Sequence, residues 1–429
     1  MFMPSLPSSA TTPPLDFTQN FLAPMLLARS RSSHARACPE LSDERWWQLG
    51  LRRALEDHPS GRAFLQHLSA SGLDAPDTGH FFETLKSTRR LRLIAEVSHA
   101  LARQLPALDP ALWAGLPELE GFELYAGDGH FHGAAAHDRR DVSDGVKYAV
   151  GHFFALNLRT HGLSHLAVAD QIERKKEHDM RALKAMSLEA LRQGVPAGCK
   201  VLYVWDRAGI DFRQWPHWKH TGGLYFVSRE KENMKLEVIG DNAWDRADPR
   251  NQGVLADAFV STSQGVSVRR VRYRCPLRGE EFSFLTSEGT LPPGLIAHLY
   301  RRRWEIEKVF DELKNKLGES KAWASSPEAK SAQAHCLCMA HNLMVRCESQ
   351  LEREHGVRNE AELARRARRL EKEEERLAKQ KTTLPVLVRT LQRLTVRSVK
   401  FIRWLRVQLF AQPHHEPDLA ALRHLYATL

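Results

Sequence analysis

The hydrophobic period changes near residue 120. Before it, apolar residues recur with helical spacing, whereas "GFELYAGDGHFHG" (121–133), "YAVGHFFALNLRT" (148–160) and "SHLAVAD" (164–170) have the pattern of short strands. Residues 174–193 return to a helical pattern, and "KVLYVWDRAG" (200–209) indicates a further strand. Three strands, a helix and a strand predict a mixed α/β core.

Helical patterns flank this core. Between residues 222 and 287, "GGLYFVSRE", "KLEVIG", "GVSVRRVRYRC" and "EFSFLTS" predict a strand-rich insertion, spanning about 215–290. Helix returns at Leu291, and Ser326-Pro327-Glu328 has the form of an N-cap followed by proline at the first helical position. The remaining C-terminal part, 346–429, is predicted to be helical and basic, for DNA binding or dimerisation.

The N-terminal part divides in two. Residues 1–40 are rich in Ser, Pro, Thr and Ala and predict a disordered leader. Residues 41–115 are helical, and their last helical stretch carries a basic cluster, Lys86, Arg89, Arg90 and Arg92. This cluster suggests a DNA-binding domain, although a helical cap with a solvated basic face has the same pattern.

The charge balance suggests a polyanionic partner. The chain has 62 Lys and Arg against 52 Asp and Glu, and its pI is about 9.4. From Lys381 to Phe410 there are seven basic residues and no acidic one. Four of them, Arg389, Arg393, Arg397 and Lys400, share one helix face, so the helix can dock on a core and contact phosphates. The apolar residues roughly opposite are Leu387, Leu391, Leu394, Ile402 and Leu405. A membrane-surface helix is the rival interpretation, which nothing else in the chain supports.

The cysteines and the hydropathy indicate a cytoplasmic location. The six cysteines lack disulfide or zinc-ribbon spacing, which suits a reducing compartment. The segment "AHCLCMAHNL" (334–343) reads as a helix with buried small side chains rather than a metal cluster. No apolar run is long enough for a membrane span, and no secretion signal is evident.

The segment "LIAHLYRRRWEIEKVFDELKNKLG" (295–318) predicts one amphipathic helix. At 100° per residue its apolar stripe comprises Leu299, Ile306, Phe310, Leu313 and Leu317. Beside the stripe, at the border with solvent, one strip holds Tyr300, Arg303, Glu307 and Lys314. The far, solvent-facing side is predicted to hold Arg301, Glu305, Lys308 and Glu312. An ordinary surface helix with spaced ion pairs would look similar, so the spacing has to decide.

That spacing, Y-x2-R-x3-E-x6-K, resembles the signature of the IS4-type DDE transposase family. The resemblance covers roughly residues 120–345 and implies an RNase H-like catalytic domain over 116–345, with a strand-rich insertion before the last acid. It implies that Glu307 is the last acid of an Asp-Asp-Glu triad. It also implies that Tyr300, Arg303 and Lys314 contact DNA phosphates, and that two aspartates stand at strand ends.

Two aspartates fit those strand ends. The apolar alternation of "FELYAGDGH" runs into Asp128, and the strand of "KVLYVWDRAG" runs into Asp206. The family commonly has Arg-Gly after its second acid, whereas here Ala208 separates the two. Asp128, Asp206 and Glu307 are the first choice. The substitutes are Asp138, Asp141, Asp144 and Asp170 for the aspartates and Asp311 for Glu307.

The resemblance implies a metal-dependent reaction on DNA. Two Mg²⁺ ions, for which Mn²⁺ can substitute, would bind the three carboxylates, because hard cations prefer oxygen ligands. The expected partners are transposon terminal inverted repeats and target DNA, with a homodimer in the DNA complex and no membrane. Relatives can flip a base between aromatic residues. Trp215, Trp244 and Trp304 are candidates here, each with packing as its alternative role.

Two rival functions stay open. His130 and His132 alternate with Asp128 and suggest a His/Asp metallohydrolase, which ordinary strand histidines would equally explain. A transposase-derived, non-catalytic DNA-binding regulator would keep the basic regions but have no need of the acids. The intact acids and their companions favour the enzyme.

Overall fold

The computed structural model describes residues 23–56, 58–135, 137–138, 150–168, 186–318, 321–390, 399–410 and 418–427. Within these ranges most of the chain outside one large sheet is helical. The helices are α1 (Ala23–Ser30), α2 (Asp43–Leu55), α3 (Gly61–Ala70), α4 (Thr78–Thr84), α5 (Thr88–Arg103), α6 (Pro110–Ala114), α7 (Leu188–Leu191), α8 (Gln214–Gly222), α9 (Pro293–Arg302), α10 (Trp304–Lys316), α11 (Pro327–His355), α12 (Glu360–Lys379), α13 (Val386–Thr390), α14 (Val399–Phe410) and α15 (Leu419–Ala427).

The described strands form one nine-stranded sheet in the order β3-β2-β1-β4-β5-β9-β8-β7-β6. β1, β4 and β5 are parallel to one another, while β2 and β3 run antiparallel beside β1. The order β3-β2-β1-β4-β5 is that of an RNase H-like core, so the predicted fold class is confirmed. The strands are β1 (Phe122–His132), β2 (Val150–Asn157), β3 (Leu163–Val168), β4 (Lys200–Val204), β5 (Leu224–Arg229), β6 (Leu236–Asp241), β7 (Val254–Thr262), β8 (Ser267–Arg274) and β9 (Glu281–Thr286).

The strand-rich insertion extends the core sheet rather than forming a separate layer. β9 pairs antiparallel with β5, and β8, β7 and β6 continue outward from it. The predicted start near residue 215 is wrong, because α8 and β5 belong to the core through the parallel pairing of β5 with β4. The insertion begins only after Arg229.

The sequence interpretation also missed β7, which lies inside the insertion between β6 and β8. Its charged residue Asp257 argues against a strand when the segment is taken alone. In the fold, the Asp257 carboxylate accepts two hydrogen bonds from Arg269 of β8, at 2.8 and 2.6 Å. Both side chains are buried, so a pairing across the sheet compensates for a charge that the local pattern could not explain.

The leader prediction fails over its last part. α1 forms within residues 1–40, and its Met25 is fully buried against the helical region that includes α5. Burial of an apolar side chain stabilises this helix where composition alone suggested disorder. Residues 1–22 lie outside the described residues. Of the predicted helix 174–193, residues 186–193 are described and contain the short α7, while residues 174–185 lie outside the described residues. Ser326 caps α11 as expected, accepting from the backbone of Ala329.

The sheet is covered on both faces. Leu124 and Ala126 of β1 face the large core shared with α5, α10 and α11, whereas Tyr203, Trp215 and Phe226 pack together on the opposite face. Gly127 follows Ala126 in β1, and a Cβ added at Gly127 would lie 2.6 Å from the Trp205 ring. The β1 backbone therefore lies close to the Trp205 ring at the residue that precedes Asp128.

Among the described helices, none combines the length and apolar character that crossing a membrane requires.

A row of buried histidines crosses the core between β1, β2, β3 and the helices. The His132 and His152 rings stack at 4.2 Å between centroids, and His152 Nδ1 lies 3.1 Å from His165 Nε2. The row continues to His335, whose ring centroid is 5.0 Å from that of His165, and to His99. Burial lowers the pKa of His165 to about 3 and that of His99 to about 4, and it lowers the pKa of the other three well below the ordinary value.

These histidines predict acid sensitivity of the fold. Above a pH of about 6.5 these histidines are neutral in both the folded and the unfolded protein. Below that pH they bind protons in the unfolded chain but stay neutral in the native core. The free energy of unfolding should therefore fall by up to about 1.4 kcal/mol per pH unit for each histidine. We expect the Tm to drop between pH 7 and pH 5, and His165→Gln to flatten that drop. The exposed His220→Gln serves as control, and a Tm independent of pH would contradict the prediction.

Candidate active site

The sheet register places Asp128 and Asp206 side by side. Ala126 of β1 pairs with Val204 of the parallel β4, and each aspartate lies two residues beyond its strand's paired residue. Asp206 also caps a short 3-10 turn at 207–209, accepting from the Ala208 amide at 2.7 Å. The two predicted aspartates therefore lie side by side just beyond the last paired residues of β1 and β4. Only Asp206 follows the end of its strand; Asp128 lies inside β1, which continues to His132 alongside β2, so its predicted strand-end position is wrong.

The predicted single helix over 295–318 is two helices, α9 and α10, which meet at Arg303. At this point the hydrogen bonds shorten to three-residue spacing: the Arg303 amide donates to the Tyr300 carbonyl at 3.1 Å, and the Ile306 amide donates to Arg303 at 3.2 Å. A tightened turn of this kind interrupts an α-helix without reversing the chain. Across this turn the Arg303 guanidinium lies 5.9 Å from the Tyr300 ring centroid and pairs with Glu307.

Arg303 bridges the first and last acids. Its guanidinium lies 3.0 Å from Asp128 Oδ2 through one nitrogen and 2.6 Å from a Glu307 carboxylate oxygen through the other. Burial acts to lower the pKa of Arg303, but Asp128, Tyr300 and Glu307 outweigh it and raise that pKa above its ordinary value. The arginine is thus a buried counter-ion between two carboxylates.

Asp206 and Glu307 both affect the pKa of Asp128. Burial raises its pKa most; Arg303 and the Gly129 amide lower it, and the charges of Asp206 and Glu307 raise it further, to about 6. An aspartate whose pKa responds to two other carboxylates lies within electrostatic range of both. The pairing of β1 with β4 and the helix pair therefore bring Asp128, Asp206 and Glu307 to one site.

The chemistry of this donor set fits a hard divalent cation, because all three side chains offer carboxylate oxygens. The three carboxylates are nevertheless not mutually within 4.8 Å of one another. Asp128 and Glu307 are instead spaced by the guanidinium of Arg303, which supplies the positive charge between them.

The other two predicted companions differ in their surroundings. The Tyr300 ring packs on Phe284 at 4.9 Å, with the Arg303 guanidinium 5.9 Å from its centroid, and burial raises the pKa of its hydroxyl. Lys314 lies about 10 Å further along α10 than Glu307. Its side chain is exposed and makes no ion pair among the residues that the structure describes.

The family model described as "Transposase DDE domain" matches residues 125–343, just over half of the chain. The chain belongs to this transposase family. A curated protein of Sinorhizobium fredii, named "Putative transposase y4zB", is 28% identical over 151 residues, covering 33% of this chain and 41% of that protein. The chain thus matches less than half of that relative's length.

Among solved structures, the "Drosophila P element transposase strand transfer complex" is found at 14% identity, covering 49% of this chain and 46% of that chain, with a TM-score of 0.23. A similarity this low supports no conclusion about this chain. The fold assignment of the transposase domain rests on its own strand order.

The two substitute acids that the structure describes, Asp138 and Asp311, have other partners. Asp138 accepts from the Lys330 ammonium at 2.9 Å, and both side chains are buried. Asp311 is exposed on α10 and accepts from Asn315 at 2.7 Å. Among the described residues, neither forms a hydrogen bond or an ion pair with Asp128, Asp206 or Glu307. Asp141, Asp144 and Asp170 lie outside the described residues.

The histidine alternative gains no support from the geometry. His130 stacks on Phe310 at 4.5 Å, and His132 belongs to the buried histidine row. In the part of the chain that the structure describes, neither residue is one of three ligand side chains converging within 4.8 Å.

The three candidate tryptophans differ in how far their side chains are buried. Trp215 is fully buried and stacks on Phe226 at 5.7 Å, which makes it a packing residue. Trp244 lies in the insertion, partly buried, with Arg246 over its ring at 5.3 Å. Trp304 is 57% exposed and directly follows Arg303, whose guanidinium lies 5.6 Å from its ring.

The sequence interpretation missed the buried acids of α10. Glu305 and Glu312, predicted to face solvent, are buried and contact His161 at 2.7 Å and His341 at 2.9 Å, respectively. The α10 helix is buried on more than one side because it packs on β1 and on α11. Helical spacing alone could not reveal this, since His161 and His341 are distant in the sequence.

Asp138 is predicted to be a stability residue rather than a catalytic one. Asp138→Asn leaves the Lys330 ammonium buried without its counter-ion, which should cost about 3–5 kcal/mol of unfolding free energy. Adding Lys330→Met should recover most of that loss, because an apolar side chain needs no counter-ion. The exposed Asp311→Asn should change stability by less than about 0.5 kcal/mol. Denaturant unfolding measures all three, and an unchanged midpoint for Asp138→Asn would contradict the assignment.

Proposed function

We propose that this chain is a transposase of the IS4 type that cuts DNA at transposon ends and joins the freed ends to target DNA. The observation that carries the proposal is the convergence of Asp128, Asp206 and Glu307 from two parallel strands and one helix. Family membership adds the expected reaction class. Phosphodiester cleavage requires charge compensation around the phosphorus, and this acidic site is where cations would provide it.

In this proposal Asp128, Asp206 and Glu307 hold two Mg²⁺ ions, for which Mn²⁺ can substitute. Bound divalent ions would supply Lewis-acid activation of the nucleophile and stabilisation of the leaving oxygen. Asp128 must lose its proton to act as a ligand, and its pKa of about 6 lets it do so at neutral pH. In this proposal the three side chains act together as metal ligands, and none of them acts alone as a general base.

The cationic and hydroxyl groups would hold the DNA backbone. Arg303 stabilises two carboxylates in the protein alone, and its planar guanidinium also suits bidentate contact to a phosphate. The Tyr300 hydroxyl can donate to a phosphate oxygen, and the exposed Lys314 can act as a point charge further along the same helix. Trp304, exposed beside Arg303, is the best placed of the three tryptophans to contact an unstacked base.

The flanking regions are proposed to bind DNA and to join protomers. Residues 41–115 would bind terminal inverted repeats, and the basic region 346–429 would contact DNA or a second copy, giving a homodimer in the DNA complex. Arg389 of α13 is exposed apart from an ion pair with Glu374, while Leu387 beside it is buried, as the two-faced helix requires. Arg393 and Arg397 lie outside the described residues. A nucleoid-associated location in a prokaryotic cytoplasm follows from this function.

The decisive experiment is metal-dependent cleavage of a plasmid carrying the element's own flanking ends. Glu307→Gln should bind these ends with unchanged affinity but reduce cleavage at least about a hundredfold, because the substitution removes one negatively charged ligand from the site. The matched control is Asp311→Asn, an exposed acid of the same helix, which should cleave like the wild type. Binding without cleavage by the wild type under both Mg²⁺ and Mn²⁺ would favour the non-catalytic regulator.

The raised pKa of Asp128 predicts pH-dependent metal binding. Because the ion and the proton compete for this carboxylate, the Mn²⁺ affinity should be nearly constant above pH 7 and fall by up to about tenfold per pH unit below pH 6. Calorimetric titration at several pH values measures this, and Asp128→Asn should bind more weakly and with a flatter profile. A wild-type affinity that is unchanged from pH 7.5 to pH 5 would rule out Asp128 as a ligand.

A further inference from the structure

A second group of metal-binding side chains lies outside the acidic site, at the corner between α2 and α3. Glu56 follows the end of α2, His58 lies in the connection, and His67 lies in the last turn of α3. One ligand atom from each residue lies within 4.8 Å of the others. Glu56 and His58 are partly buried and His67 is exposed, so the group is open to solvent on one side.

The backbone around this group is well anchored. The Glu56 amide donates to the Arg52 carbonyl at 2.9 Å, and Ser60 caps α3 by accepting from the Ala63 amide at 3.1 Å. The two Glu56 carboxylate oxygens have different partners: Arg52 Nε donates to Oε1 at 2.9 Å, and His58 Nε2 lies 2.8 Å from Oε2. A carboxylate held in this way by a second residue is typical of a metal ligand.

An ion pair alone would need only one histidine. The His67 ring centroid lies 5.1 Å from that of His58, and the two rings are tilted by 42° rather than stacked. The chain offers a comparison in His80, which lies 3.5 Å from the Glu40 carboxylate. That pair is not part of any three-ligand group in the described residues. The second imidazole is what distinguishes the α2–α3 corner.

We propose that Glu56, His58 and His67 form a transition-metal site that takes Zn²⁺. Two imidazole nitrogens and one carboxylate oxygen are a donor set that suits Zn²⁺, whereas Mg²⁺ prefers oxygen ligands alone. Water would complete the tetrahedral shell from the exposed side next to His67. This site is separate from the acids of β1, β4 and α10, and it does not depend on the proposed reaction.

The position of the site suggests a structural purpose. The Gly318 amide, just beyond α10, donates to the Ala54 carbonyl at 2.7 Å, and a Cβ at Gly318 would lie 2.5 Å from the Glu56 carbonyl oxygen. The end of the helix that carries Glu307 therefore packs directly on the end of α2. A metal joining α2 to α3 would hold the surface against which that helix end rests.

The test uses full-length protein without a histidine tag, loaded with Zn²⁺ in excess Mg²⁺ and then freed of unbound metal. Elemental analysis should find one more equivalent of Zn²⁺ in the wild type than in His58→Gln or His67→Gln. Competition with a chromophoric chelator should show at least a tenfold loss of affinity, since even outer-shell changes cost about 10–100-fold. Co²⁺ in place of Zn²⁺ should give a tetrahedral visible spectrum that both variants lose.

Two controls make the outcome decisive. His80→Gln, from the single-histidine pair, should retain the Zn²⁺ equivalent, and so should Glu307→Gln, which alters the acidic site. Because His67 is exposed, His67→Gln should fold normally even if His58→Gln does not, as circular dichroism can verify. Equal Zn²⁺ content in the wild type and His67→Gln, or loss of the equivalent in Glu307→Gln, would overturn the proposal.

Discussion

The contact of Arg303 with Asp128 and Glu307 is the interaction on which the candidate site depends. Three carboxylates brought together repel one another, and the charges of Asp206 and Glu307 add to the burial that raises the pKa of Asp128. A buried guanidinium between two of them offsets part of that repulsion. Arg303 also lies at the tightened turn between α9 and α10, so the same residue compensates part of the negative charge of the site and joins the two helices.

The sheet and the helices position the acids by different means. Parallel pairing of β1 with β4 places Asp128 beside Asp206, and Gly127 lets Trp205 pack against the strand backbone there. The helix that carries Glu307 is held by its apolar stripe and by two buried contacts, of Glu305 with His161 and of Glu312 with His341. Breaking either contact would leave a buried polar group without its partner, so these contacts favour one position of α10 over its alternatives.

Eight of the described strands were predictable because their apolar residues alternate or run together between turn residues. β7 was not, because Asp257 makes sense only opposite Arg269 of the neighbouring strand. Likewise, helical spacing correctly grouped Leu299, Ile306, Phe310, Leu313 and Leu317 as a buried stripe. It placed Glu305 on the solvent side, since spacing describes one helix and carries no information about a second element packed against it.

The sequence by itself determined the family to which the chain belongs and eight of the nine described strands, because residue spacing and the local hydrophobic period are properties of the chain alone. Through the family resemblance it also proposed Asp128, Asp206 and Glu307 as the acids of the site. The tertiary structure alone decided that Asp138 pairs with Lys330 and that Arg303 bridges two carboxylates. It alone also brought Glu56 and His67 together at the corner of α2 and α3. Each of these results depends on distances between residues far apart in sequence or in different elements, and such distances are set by packing, which no local pattern encodes.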